Sequence, residues 1–352
     1  MAGSRIGLDI GSTAVRAAEL RVGGDVAVLV RAAQVPLPVG AVENGEIAEA
    51  EAVGVALKEL WRRGGFKGRQ VIMGVGNQRV VVREVALPWL PDKELRESLG
   101  YQVQEFIPIA VEDAVLDFDT LGEFEHEGRR MVRLLLVAAH RAMVGTLVEA
   151  AEAARLLPTG LDLISFALVR AVGTMDDALD AQSEGEEALV DVGAHVTNIC
   201  VHDRGVTRFV RILPSGGRDI SVAIARALNI SDDDAERLKR GEELEAGTPS
   251  VGDARGLALT RAAGFVDEVR SSLQFYTAQT PGTRIGRIIV TGGGSKLDGL
   301  LELFQERLPA PVDRGHPMQR VRSELGLSDD AIAEAEPVLA VAIGLAVAGR
   351  AV

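Results

Sequence analysis

Three short stretches of this 352-residue sequence carry residue types at spacings that could do chemistry. The first is Asp9-Ile10-Gly11-Ser12-Thr13, the second Asp191-Val192-Gly193-Ala194-His195-Val196-Thr197-Asn198, and the third Thr291-Gly292-Gly293-Gly294-Ser295. In the first two, an apolar run ends on an acid and an Asp-x-Gly step opens a small or polar turn. A tight turn built from Gly11, Ser12 and Thr13 aims backbone N–H groups and two hydroxyls into one small space, and clustered N–H donors make an anion-binding concavity. A lone Gly-Ser turn between strands is usually only a turn. The second copy and the third glycine cluster point instead to one site assembled from distant segments.

The elements that must position these stretches follow from patterning. Ile6-Gly7-Leu8 and Ala17 to Arg21 read as the two arms of a hairpin, with a third strand at Val26 to Val30. Ala50 to Arg63 is an amphipathic helix ending at Gly64-Gly65, and Val71 to Val75 and Val80 to Val85 read as strands. Asp92 is placed to cap a helix running to Phe106. Two strands, Ala114 to Thr120 and Met131 to Ala139, are then joined by a polar loop from Gly122 to Arg130. A second helix covers Arg141 to Leu156. Pro158 to Asp162 opens a further helix, Leu163 to Val172, with Asp162 as its N-cap, and Asp176 to Glu187 reads as an acidic link. After the second hairpin come a strand at Val206 to Leu213 and helices after Gly217 and Ser231. A loop at Glu242 to Gly256, a long helix at Ala262 to Gln279 and a strand at Arg287 to Val290 complete this half. Ser295 is placed to cap a helix opening at Lys296-Leu297, and Glu336-Pro337 to Gly349 reads as a tightly packed helix.

Length predicts two domains or more. With 47% hydrophobic and 25% charged residues the chain reads as soluble and globular. A net charge of −13 argues against a nucleic-acid surface. Cys200 is the one cysteine, so no internal disulfide forms and a reducing cytoplasm fits. The N-terminus shows no signal-peptide pattern, and the most apolar stretch, Pro337 to Ala348, is shorter than the roughly 20 residues that span a bilayer.

Two Asp-x-Gly hairpins followed by a strand–GGGS–helix junction resemble the actin-like ATPase superfamily. There the first two loops grip phosphates from opposite sides and the third lies against adenosine. The run LPWLPDKELRESLGYQVQEFIPIAVEDAVLDFD at 87–119 is similar to the PilM family of type IV pilus assembly proteins, in which Tyr101, Glu105, Ile107, Pro108 and Asp117 match a characteristic insert. FtsA shares the insert but not this wording. The resemblance implies an α/β, actin-like (ribonuclease H-like) duplicated fold: two lobes around a nucleotide cleft, with a small α+β subdomain inserted in the first. The implied boundaries are 1–86 for the first domain, 87–155 for the insert and 156–185 for the return with a connecting helix. The second domain takes 186–215 and 263–335 around a small lobe at 216–262, and a second connecting helix takes 336–352.

By the same resemblance, ATP and Mg²⁺ are the cofactors. Gly11, Ser12, Thr13, Gly193, Thr197 and Asn198 would contact phosphates, and Asp9 and Asp191 would act on Mg²⁺ through water. Gly217 begins the small lobe, Glu236 and Lys239 would face ribose and base, and Gly292, Gly293 and Ser295 would form the adenosine loop. Read from spacing alone, Glu236 and Lys239 are an ordinary solvated i,i+3 pair. Where actin-like hydrolases present a glutamine or acid to water, alignment puts Ser165, with Asp162 as the nearest substitute, so weak or no hydrolysis is expected. The implied partner is the cytoplasmic N-terminal peptide of a PilN-like inner-membrane protein. It would lie in a groove near Tyr101, Glu105, Ile107, Val115 and Leu116, with contacts to pilus motor ATPases. The protein would then be cytoplasmic and peripheral to the inner membrane; homo-oligomerisation is left open. The alternatives are a slow ATPase, a sugar-kinase-like enzyme, for which no base is found, and an FtsA-like filament former.

Overall fold

The structure, a computed structural model, describes residues 3–23, 26–174, 185–245, 249–280 and 282–347. Two mixed sheets repeat one strand order. In the first, Gly3–Ile10 is central, antiparallel to Ala14–Val22, which is antiparallel to Ala27–Pro36. On its other side Gly3–Ile10 runs parallel to Gln70–Val75, and that strand parallel to Leu157–Leu163. In the second sheet Glu186–Val192, Thr197–Asp203, Val206–Leu213, Ile285–Thr291 and Val312–Arg314 take the same places. Even the register repeats: Asp9 lies opposite Arg16 and Asp191 opposite Asn198. This is the duplicated, two-lobed actin-like fold. The first sheet gains a sixth strand, Val321–Ser323, parallel to Ala27–Pro36.

Each lobe buries its own core. Leu8, Val15, Leu57, Leu60 and Met73 fill the first, and Val190, Phe265, Val269 and Phe304 the second. Between them cross two helices, Ile164–Val172 and Asp329–Val347, sharing a core of Leu168, Leu345, Leu189, Cys200 and Ile289. The crossing is close because its contact residues are small. A Cβ on Gly344 would lie 1.9 Å from the Ala167 carbonyl oxygen, and one on Gly7 would lie 2.1 Å from that of Ala342. The small lobe is built from Gly217–Leu228 and Asp232–Lys239 against the 29-residue helix Val251–Gln279. Among the described residues no helix is long and apolar enough to cross a membrane.

The insert is a three-stranded sheet in the order Val80–Pro88, Arg129–His140, Ala114–His126. Helix Asp92–Val103 covers one face, where Leu95, Leu99, Val103, Phe118 and Leu134 form a separate core. Helix Arg141–Ala153, expected within 87–155, instead buries Leu147, Ala150 and Ala151 in the first lobe's core.

Several local expectations are corrected. Residues 157–163 form a strand rather than a helix opening. Pro158 and Gly160 suggest a break, but this strand lies at the sheet's edge, where a missing donor is tolerated. The expected loop 122–130 is the tip of a long hairpin, turning at Glu127 and Gly128, both with positive φ (50° and 73°). Pro91, not Asp92, precedes the insert helix, and Leu163, not Asp162, precedes the first crossing helix. The long helix starts at Val251, with Ser250 and Asp253 forming a capping box, and the last starts at Asp329 with Pro337 inside it. Of the acidic link expected at 176–187, residues 176–184 lie outside the described residues, as does the last helix beyond Val347; Glu186 and Glu187 open a strand.

Candidate functional site

Both Asp-x-Gly turns are closed by the same bond: Gly11 N–H donates to Ala14 O and Gly193 N–H to Val196 O, each at 3.0 Å. At the strand ends before these turns, Asp9 and Asp191 are 7% and 9% exposed. Arg16 Nη1 sits 3.2 Å from Asp9 Oδ2, while its Nε donates to Gln34 Oε1 at 2.8 Å. Burial raises the Asp9 carboxyl above its ordinary range, and the Arg16 charge opposes that rise. Burial, and then the Asp9 charge across the cleft, push Asp191 up to about 7, with only partial relief from Arg16. The two lobes thus bring two buried carboxylates and one guanidinium into a single cleft. Near neutral pH this arrangement is short of positive charge. Ser12 is half-buried and Thr13 exposed at the first turn, with the Thr13 carbonyl accepting from Leu37 N–H at 2.9 Å.

The shared register separates the second-loop residues. Thr197 takes the place that Val15 has in the first hairpin and points inward. It is fully buried and its hydroxyl donates to Ser215 O at 2.8 Å, so it braces the turn toward the small lobe rather than facing phosphate. Asn198 takes the place of Arg16. It is 3% exposed, and its Oδ1 is buried without a hydrogen-bond partner among the described residues. An open acceptor thus sits on the amide whose nitrogen was the expected donor to phosphate. His195, at the place of Thr13, was not foreseen. It lies beside Arg218, Asp219 and Glu43 of the opposite lobe, its pKa lowered first by burial and then by Arg218.

The small lobe docks onto the second loop through backbone. Gly217 N–H donates to Gly193 O at 3.0 Å and Arg218 N–H to Ala194 O at 2.8 Å. A Cβ on Gly216 would lie 2.5 Å from Gly193 O, so this seam requires glycine. Lys239 Nζ donates to Gly217 O (2.9 Å), Ser221 Oγ (2.8 Å) and Glu236 Oε2 (2.6 Å). Burial alone would raise the Glu236 carboxyl, but the Lys239 charge and hydrogen bonds from Lys239 and Ser221 hold it below the usual range. Burial lowers Lys239 against the pull of Glu236. The pair is not a solvated surface contact: it knits two helices together and sets an ammonium beside Gly217.

The third loop rests on the second-lobe carboxylate. Gly292 has φ +88°, and a Cβ there would lie 2.5 Å from Val192 O and 2.6 Å from Asp191 Oδ1. Its N–H donates to Pro337 O at 3.0 Å, and Thr291 Oγ1 donates to the same carbonyl at 3.2 Å. Ser295 Oγ donates to Gly292 O at 2.7 Å and closes a 3₁₀ turn. The following helix starts only at Leu300 after Gly299, so Ser295 is not its cap. A Cβ on Gly293 would make only an ordinary 3.6 Å contact with Val338, so the fold does not itself demand glycine there.

Neither candidate for orienting water presents a free carboxylate. Asp162 Oδ1 accepts from Leu163 N–H at 2.8 Å, and Oδ2 is paired with Arg170, whose Nε donates to Gly344 O at 3.1 Å. Asp162 is committed to the helix crossing, and Ser165 is buried within it at 2% exposure. The expected peptide-groove residues are not gathered on one surface. Ile107 is buried in the insert core, Leu116 packs against that core, and Val115, its neighbour in an alternating strand, points to the other face at 36% exposure. Tyr101 stands out from the helix, 88% exposed, and Glu105 is exposed just beyond the helix end. Among the described residues no group of three or more His, Cys, Asp or Glu side chains could hold a metal by itself, so a cation here would share its shell with ligand and water.

The sequence model of the family described as type IV pilus assembly protein PilM matches residues 7–350. A solved PilM–PilN type IV pilus biogenesis complex is similar at 28% identity and a TM-score of 0.84, with 97% of each chain covered. The structure of MreB5 of Spiroplasma citri bound to AMPPNP has a TM-score of 0.53 at 14% identity, over 97% of this chain and 94% of that one, and so shares the fold. Cell division protein FtsA of Pseudomonas aeruginosa is 29% identical over 210 residues, 54% of this chain and 48% of FtsA. The chain spans about half the length of the curated relatives it matches. With residues 7–350 matched and the duplicated hairpins in place, the chain belongs to the PilM family of type IV pilus assembly proteins.

Proposed function

We propose that this protein is an Mg·ATP-binding adaptor of the type IV pilus machinery, holding nucleotide as a switching ligand rather than turning it over. The observation that carries the reading is the duplicated pair of hairpins, which brings Asp9, Arg16 and Asp191 into one buried cleft with the Gly292 turn laid against Asp191. The donor set fits a hydrated divalent cation: of two buried carboxylates only Asp9 is paired with the Arg16 guanidinium, and among the described residues the amide oxygen of Asn198 lacks a donor. Mg²⁺, when bound with nucleotide, neutralises phosphate charge and keeps several waters that such groups can hold. The turn around Gly11, Ser12 and Thr13 supplies N–H and hydroxyl donors, and Lys239 lies where the small lobe meets the third loop. Asp162, in the strand that leads into the first crossing helix, is bound to Arg170 and so is not free to orient water.

The partner in this reading is the cytoplasmic N-terminal peptide of a PilN-like inner-membrane protein, and motor ATPases are further contacts. The solved relative in complex with PilN supports it. Exposed Tyr101, Glu105 and Val115 are the expected groove residues that a peptide can reach. The protein would act in the cytoplasm, held at the inner membrane through this partner. Fluorescence anisotropy with a labelled partner peptide tests it: Tyr101→Ala should weaken peptide binding about tenfold without changing nucleotide affinity. Equal affinity for both proteins would remove the insert from the interface. The FtsA likeness favours a filament-forming alternative, which pelleting of the protein with Mg·ATP on ultracentrifugation would reveal.

A further inference from the structure

The two halves of the cleft are built on one plan but do not carry the same groups. Seven residues after its aspartate, the first hairpin places Arg16 and the second places Asn198, each directly opposite that aspartate in register. Residues so paired across antiparallel strands project on one face, within contact of each other. In the first lobe the pair is closed: Arg16 Nη1 lies 3.2 Å from Asp9 Oδ2, and Gln34 holds the guanidinium from the far side. In the second lobe it is open. Among the described residues no cation is paired with Asp191, and Asn198 Oδ1 is buried with no donor. That oxygen lies at the seam between lobes, 2.8 Å from where a Cβ on Gly76 would sit. A buried acceptor without a partner costs about 1–3 kcal/mol, which a water of a bound cation would recover.

Resting on the nucleotide reading above, we infer that the divalent cation is held asymmetrically. Its water shell is bound by the second-lobe pair, Asp191 and Asn198 Oδ1, while Asp9 serves to hold Arg16. Asp9 is then a positioning residue. Its carboxylate already has a cation, and a second positive charge beside Arg16 would be repelled. Asp191 and Asn198 offer a carboxyl and a neutral acceptor, and among the described residues neither is ion-paired to a cation. A neutral amide at position 198 also leaves the anionic phosphates unopposed by a second carboxylate.

The test measures Mn²⁺ affinity of the protein–ADP complex by the loss of the free Mn²⁺ EPR signal, alongside mant-ADP affinity in EDTA and thermal unfolding. Asp191→Asn and Asn198→Ala should each weaken Mn²⁺ about tenfold, Asn198→Asp should retain or tighten it, and Asp9→Asn should leave it within about twofold. Asp9→Asn should instead lower mant-ADP affinity in EDTA, because it releases Arg16. Rescue by Asn198→Asp separates a role toward the cation from mere packing, which the aspartate would not restore. Equal loss in Asp9→Asn and Asp191→Asn, or an Asn198→Ala protein that folds and binds Mn²⁺ normally, overturns the asymmetry. A wild-type protein that binds no mant-ADP with or without Mn²⁺ overturns the nucleotide reading and this inference with it. Normal mant-ADP binding combined with symmetric Mn²⁺ losses overturns the asymmetry alone.

Discussion

Gly292 meets two demands at once, a backbone with φ +88° and an approach to Val192 O and Asp191 Oδ1 that leaves no room for a methyl. Gly292→Ala should therefore lower thermal stability by the equivalent of about 1–3 kcal/mol and weaken nucleotide binding, both readable in one thermal-shift series with and without ADP. A second residue-scale prediction concerns acid. Glu187 Oε1 accepts from Thr174 N–H at 2.8 Å and lies 3.1 Å from His202 Nε2, while Gly205 N–H donates to His202 Nδ1. Burial alone would raise Glu187, but the hydrogen bonds from His202 and Thr174 hold it below its ordinary value of 4.5. A depressed carboxyl contributes stability that is full above the unfolded value and is lost as pH falls through the folded one. Glu187→Gln should cost about 1–3 kcal/mol at neutral pH, and its urea midpoint should converge on that of the wild type in strong acid. A gap that persists in acid would show that packing, not charge, carries the effect. Asp9, Asp191 and Gly292 were legible in the sequence because their chemistry is local: an acid or glycine at a fixed step in a turn. Thr197 and Asn198 look alike as polar neighbours, and only the strand register assigns one to the core and the other to the cleft.

At the scale of elements, the two crossing helices are the part of the fold most sensitive to a single atom. Gly344→Ala would put a methyl 1.9 Å from the Ala167 carbonyl oxygen, backbone against backbone, with no flexible side chain to give way. It should destabilise the protein by about 3 kcal/mol or more, whereas Gly145→Ala, which meets nothing within 4 Å, should be neutral to slightly stabilising. Differential scanning calorimetry of the two variants checks this; equal melting temperatures would contradict the described crossing. Elements whose apolar period agrees with their length were legible, as for Ala50–Gly64 with its left-handed Gly65 cap. Elements that break a local rule under tertiary cover were not. Leu157–Leu163 carries Pro and Gly but gains an edge pairing, and Val251–Gln279 starts through Gly252 and Gly256 behind a capping box. The hairpin tip 122–130 is polar yet stiffened on both faces, with Arg130 stacked 3.9 Å from Trp89 and Arg133 5.2 Å from Phe124.

For the whole molecule, the duplication explains why a site can be built from segments nearly 300 residues apart. Each lobe contributes one strand end, one aspartate and one turn, and the crossing helices hold the two contributions face to face. Closure of such lobes around a ligand moves rigid bodies about a hinge. The insert's sheet strands, Val80–Pro88 and Arg129–His140, run directly out of the first lobe, so its position follows that lobe. The central claim is that this cleft binds Mg·ATP tightly and does not turn it over. The direct measurement mixes the protein with a slight deficit of Mg·ATP and follows bound nucleotide and released phosphate together for an hour. Stoichiometric binding with almost no phosphate released is the predicted result. Steady release over many turnovers, or no binding at all, would contradict it.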